Sequence, residues 1–392
     1  MMAVVQHKSK EPKKLMGTKI ILRILLFAGV IFLMYAAGLL AASALPVQDL
    51  AQYWAAAHLV KSNPYSFAAT SAFELSHGVP GSAGLLVIKN PPWSIVFVLP
   101  LAFVSYQAAF ALWTTLSVLI VAGCARVAWS LYSPKLSLAP ALISLLFGPT
   151  VVLLMLGQLT VLVLLGITIF LIAIERKLDW LAGVSLVLIL IKPHVIFLFL
   201  IVAALWAIRS RRLSIFGFGA LAVLVCSCVV LMLNPHIFTQ FLERTRLVVG
   251  ENYPYPNLGG LLFVWSSRHV LALLPALVGL IWALIYWARH GSSWDWKTDG
   301  MFVLVLSVAC SYYSYPYDEI LIIPALLSLY ALGRRKIFML GFVIINLGYA
   351  AYISNLAGKA GLGPLFLGWT ATAWLLTYMF GQNQVRSRFT VS

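Results

Sequence analysis

The chain has 392 residues, 62% of them hydrophobic and only 10% charged, with a mean hydropathy of +0.97. A soluble globular protein carries about one quarter charged residues, so a water-soluble enzyme is excluded and a polytopic membrane protein is indicated. Lys and Arg number 27 against 11 Asp and Glu, a net charge of +16 that reads here as cytoplasmic loop signal rather than as a nucleic-acid surface.

Lys8, Lys10, Lys13, Lys14 and Lys19 precede the apolar stretch Ile20 to Ala42, and Arg23 lies at its start. That stretch is too long for a signal peptide and predicts a first spanning helix with its basic tail, residues 1–19, in the cytoplasm. Ser43 to Asn90 follows as the longest early polar segment, which the orientation rule places outside. Within it, Leu50 to Lys61 predicts a short helix with Leu50, Trp54 and Ala57 on one face, suited to lying in the interface. Asp49, just before that helix, has two readings. With Gln52 it makes a capping box, and as a fixed carboxylate it suits a general base. Asn63-Pro64-Tyr65 reads as a turn, and Asn90-Pro91-Pro92-Trp93 as a stiff entry into the bilayer.

Apolar runs then recur from Pro92 to Phe380, several of only about a dozen residues, or ~18 Å as helix. Such runs predict broken helices or re-entrant hairpins lining a cavity. Arg209, Arg211 and Arg212, then Arg289 with Lys297, then Arg334, Arg335 and Lys336, then Arg386 with Arg388, read as cytoplasmic. Asn234 to His269, Ser311 to Glu319 and Asn355 to Gly361 then face outward. Between Pro92 and Ile174 two topologies compete. If each run crosses once, Gly157-Gln158 falls inside; if the Pro92 run is re-entrant, Arg126, Lys135, Arg176 and Lys177 are cytoplasmic and Gln158 lies outside. The second is preferred.

Gln158 interrupts two apolar runs, where it either hydrogen-bonds a polar ligand or caps a broken helix. Lys192-Pro193-His194 is an ionisable pair at membrane depth, a candidate site for an anionic phosphate, with snorkelling of Lys192 as the plain alternative. Tyr312, Tyr313, Tyr315 and Tyr317 precede Asp318 and Glu319, and fit either an aromatic belt or a sugar-binding surface. The loop with Arg244, Arg246, Glu251, Tyr253, Tyr255 and Asn257 adds cations, aromatics and amides. Cys124, Cys226, Cys228 and Cys310 sit in apolar runs and suggest neither disulfide nor metal framework.

Taken in order, Asp49 with Tyr53-Trp54, Asn63-Pro64-Tyr65, Asn90-Pro91-Pro92, Gly157-Gln158, Lys192-Pro193-His194 and Tyr317-Asp318 resemble the pattern of glycosyltransferase family 87. That family includes polyprenyl-phosphate-mannose-dependent alpha-mannosyltransferases of the GT-C fold. The resemblance implies an all-α bundle of about 10–13 transmembrane or re-entrant helices, residues 20–382, with an outer loop at 43–90 and a cytoplasmic tail at 383–392. It implies a multi-pass protein of the plasma membrane with its active site outside. Asp49 takes the catalytic role. Lys192, His194, Arg244 and Arg246 are assigned to the donor phosphate, and Tyr53, Trp54, Gln158, Tyr317 and Asp318 to the sugar or acceptor. No cofactor or metal is called for. The implied partners are a polyprenyl-phosphate-linked sugar, a lipid or glycan acceptor and membrane lipids, without nucleic acid. A histidine pair stands in some members where this chain has Tyr317-Asp318. The competing expectations are another lipid-linked sugar, arabinofuranose or hexosamine, and a lipid or sugar transporter.

Overall fold

The structure, a computed structural model, describes residues 28–42, 49–79, 86–248, 257–355 and 366–389. The basic tail, Glu251, Tyr253, Tyr255, most of Asn355 to Gly361 and the side chains of Arg386 and Arg388 lie outside the described residues. Among those described, the regular elements are all helical. The chain is an all-α polytopic membrane protein.

The helices are α1 (Ala28–Ala42), α2 (Leu50–His58), α3 (Phe67–Ser76), α4 (Tyr106–Ser130), α5 (Ala139–Leu145), α6 (Gly148–Leu156), α7 (Thr160–Glu175), α8 (Asp179–Ile189) and α9 (Phe197–Arg209). They continue with α10 (Ser214–Leu233), α11 (Ile237–Val248), α12 (Leu258–Ser266), α13 (His269–His290), α14 (Met301–Ala309), α15 (Ile323–Ala331), α16 (Arg335–Asn355) and α17 (Thr370–Phe389). Among the described residues, four of them, α4, α10, α13 and α16, are long and apolar enough to cross a bilayer, and α5 with α6 forms an apolar pair bent by 61°, a broken span or a re-entrant loop. Leu221, Leu224, Leu277 and Ile281 on α10 and α13 are exposed, as lipid-facing residues are.

Proline explains much of the breakage. Pro140, Pro149 and Pro324 each stand in the first turn of a short helix, where a missing N–H costs nothing. Pro92, Pro100 and Pro316 do the same for the 3₁₀ helices Pro92–Phe97, Leu99–Phe103 and Pro316–Ile322. The run from Pro92 to Phe103 is therefore two short turns, not a crossing helix. Glycines close the contact between α8 and α10. A Cβ on Gly183 would come within 2.5 Å of the Ile215 carbonyl oxygen, so the two backbones touch only because that position is bare.

One end of the bundle collects charges. Lys297 pairs with Glu175 at 2.5 Å, the Nε of Arg212 with Asp179 at 2.6 Å, and the Tyr132 hydroxyl donates to the Lys297 carbonyl at 2.9 Å. These groups close the far ends of α7, α8 and α9. Gln158 and Lys192 lie at the other ends, about 24 Å away along the sixteen residues of α7. Gln158 is thus remote from Arg176, Lys177, Arg212 and Lys297.

Two local expectations are corrected. The helix after Asp49 has no solvent face: Leu50 through Ala57 are all buried, packed by α3, α4 and the Leu99–Phe103 turn. Nor does Asp49 cap it. Its backbone is helical (φ −66°, ψ −18°), not extended as a capping residue requires, and its side chain makes no cap bond.

Candidate active site

The site is assembled where the start of α2, the α6–α7 junction, the break between α8 and α9 and the Pro316–Ile322 turn meet. Helix α6 ends on Gly157 in the left-handed region, φ +72°, and a Cβ there would stand 2.8 Å from Cβ of Leu50. Glycine alone satisfies both the dihedral and the approach. The consequence is that Gln158, the next residue, is buried beside the start of α2.

The amide of Gln158 is held from both sides. Its Nε2 donates to the Asp49 carboxylate, and its Oε1 accepts from the Tyr53 hydroxyl at 2.9 Å and lies 3.5 Å from Lys192 Nζ. Tyr53 reaches the same amide as Asp49 because the two are four residues apart and share a helix face. Acceptor and donor sides of the amide are each matched, which answers the cost of burying it.

Lys192 follows α8, at the Pro193 break. Asn90 Nδ2 donates to the Ile191 carbonyl at 3.5 Å, the Tyr65 hydroxyl donates to the Asn90 carbonyl at 2.8 Å, and the Tyr65 amide donates to Asn63 Oδ1 at 3.1 Å. The turns at Asn63–Tyr65 and Asn90 thereby brace the segment that presents the lysine. Its Nζ lies 2.9 Å from Asp318 Oδ1 and 4.5 Å from the centre of the Tyr317 ring. Asp318 also accepts from Thr160 Oγ1 at 2.7 Å and from the Tyr315 amide at 2.9 Å. Lys192 does not snorkel: its partner is protein.

Of the residues expected from the sequence, Asp49, Tyr53, Gln158, Lys192, Tyr317 and Asp318 come together. Tyr317 is buried, seating the Lys192 ammonium, with Tyr315 stacked beside it at 5.4 Å. His194 stands apart from this chain of bonds, stacked on Tyr313 at 3.9 Å. Trp54 donates to the Val104 carbonyl at 3.1 Å and packs with His58, Phe73 and Tyr106. Arg244 is half-buried and Arg246 exposed on α11, which packs against Pro92–Phe97. Asn234 and Gln240 tie that segment to the Ser62 carbonyl, each at 2.9 Å. Thr160 was not foreseen; its place two residues after Gln158, opening a helix, was the available signal.

The two carboxylates differ in kind. Asp318 is enclosed, with three donors on it. Asp49 is half-buried, receives Gln158, and keeps capacity to accept another proton. Burial pushes its carboxyl up to about 6, against the Gln158 bond and the Lys192 charge, which lower it, and with a smaller upward push from Asp318.

No curated protein and no solved structure matches the chain. The model of glycosyltransferase family 87 matches residues 89–311, more than half of the chain. The matched span contains Gln158, Thr160, Lys192 and His194, while Asp49 and Asp318 lie on either side of it and are brought onto it by the fold. A membrane bundle that gathers two carboxylates, a lysine and a buried amide at one end, and matches this family over that length, belongs to glycosyltransferase family 87.

Proposed function

We propose that the protein is an inverting transferase that moves a hexose, mannose in the first instance, from a polyprenyl-phosphate donor to a lipid or glycan acceptor at the outer face of the plasma membrane. The bundle is read as GT-C-like. The observation that carries the proposal is the setting of Asp49: a carboxylate fixed by Gln158, near a buried ammonium, with its ionisation moved toward neutral pH. A general base works best when it titrates near the operating pH.

In the transfer, Asp49 takes the proton of the acceptor hydroxyl as that oxygen bonds to the anomeric carbon. The bond from that carbon to the phosphate oxygen breaks on the opposite face, and the lipid phosphate leaves with the electron pair. A phosphate needs cations more than a proton from an acid; Lys192, whose charge acts on Asp49, supplies one, and Arg244 and Arg246 are assigned to the same task. Asp318, 2.9 Å from its Nζ, holds Lys192 in place.

The test is transfer in proteoliposomes across a panel of labelled polyprenyl-phosphate sugars. Mannosyl transfer by the wild type, lost in Asp49→Asn that still folds and binds donor, is expected. Preference for an arabinofuranosyl or hexosamine donor would replace the sugar. Substrate movement across sealed vesicles without glycosidic product would replace the function.

A further inference from the structure

Helix α16 lies wholly beyond the family-matched span, yet it touches both broken segments that build the site. Asn346 accepts from the Gly148 amide at 2.8 Å and donates to the Leu146 carbonyl at 3.1 Å, bonding across the bend between α5 and α6. One turn on, the Tyr349 hydroxyl donates to the Pro316 carbonyl at 2.8 Å. The Tyr349 ring lies so close to Gly148 that a Cβ there would come within 2.5 Å of it. Glu319, buried on the same turn as Asp318, accepts from Thr370 at the start of α17, with Tyr349 beside its carboxyl.

The two segments held this way lead to different halves of the site. From Gly148, α6 runs to Gly157 and delivers Gln158 to Asp49. From Pro316, the 3₁₀ turn delivers Asp318 to Lys192. Tyr349 is almost fully buried, and for packing alone a phenylalanine would fill the place without a hydroxyl to satisfy. We propose that Tyr349 is a positioning residue for the transfer reaction, holding the α6 arm and the Pro316–Ile322 arm in register, with Asn346 and Glu319 completing the hold. The proposal rests on the glycosyl-transfer reading, because the register matters to chemistry only if Asp49 and Lys192 meet the reactants.

The full chain in proteoliposomes with a polyprenyl-phosphate mannose donor tests it, using Tyr349→Phe, Glu319→Gln, Glu319→Leu and Asp49→Asn, each checked for Tm. Tyr349→Phe is expected to lower kcat about ten- to a hundred-fold, the scale of a small misplacement of reacting groups, with the acceptor KM little changed. The pH midpoint of the rate should rise, as the Gln158 bond that favours ionised Asp49 loosens. Glu319→Gln, which still accepts from Thr370, should keep most activity while Glu319→Leu loses it. Wild-type kcat and midpoint in Tyr349→Phe, with or without a lower Tm, would overturn the proposal. If Tyr349→Phe does not fold, equal activity in the two Glu319 variants would overturn it instead. Full transfer by Asp49→Asn would refute the reading of the site; loss there with Tyr349→Phe unaffected would refute only the positioning role.

Discussion

The same three helices, α7, α8 and α9, have ion pairs at both ends of their bundle, and the Lys297–Glu175 pair at one end and the Lys192–Asp318 pair at the other obey different physics. At the charged end, Lys297 and Glu175 leave 34% and 46% of their side chains exposed. At the site, Lys192 and Asp318 leave 8% and 0%. An exposed pair contributes about 0–1 kcal/mol, and water replaces either partner cheaply. A buried pair loses hydration it only partly recovers, and apolar residues of similar volume often serve stability as well. The first pair is explained by the edge of a membrane protein. The second makes sense where a fixed charge beside a reacting group is needed.

Removing one partner of the buried pair gives the largest expected change. Lys192→Met or Asp318→Leu should each cost about 3–5 kcal/mol of stability by stranding the other charge. The double variant should recover most of that loss, read from Tm in detergent, while transfer stays absent. A double variant that regains transfer would reduce the pair to packing. Gly157→Val should follow, losing about 1–2 kcal/mol or more because a β-branched residue opposes φ +72° and Leu50 occupies the space. Its transfer rate should fall further than its stability, since Gln158 is displaced from Asp49. The smallest effect belongs to the exposed pair: Lys297→Met should change stability by less than about 1 kcal/mol and leave transfer at the wild-type rate.

The sequence made the charged end readable, because basic clusters between apolar runs mark loops without any tertiary knowledge. It also made breaks readable, through the short apolar runs, Pro193, and the polar Gln158 and Lys192 between apolar neighbours. What the chain order could not show was pairing across the fold. Asp49 and Gln52 stand at capping-box spacing, but the backbone at Asp49 is already helical and its carboxylate turns to an amide more than a hundred residues away. The pairing of Lys192 with Asp318 likewise joins residues more than a hundred positions apart. Trp54 and His194 look like ligand-facing groups beside their motifs, yet each is engaged by an aromatic neighbour that only packing brings near. The scaffold role of Asn346 and Tyr349 leaves almost no sequence trace, since two polar side chains on an apolar helix name no partners.

The proposed role of Asp49 as the base is read out in kcat/KM against pH with a lipid-phosphate sugar donor. With its carboxyl pushed up to about 6, the ionised form prevails above that pH and is lost below it. A plateau is expected above about 7 and a tenfold fall for each pH unit below about 6, a limb absent from the residual rate of Asp49→Asn. A wild-type profile that stays flat from pH 4.5 to 8, or the same acid limb in Asp49→Asn, would contradict it.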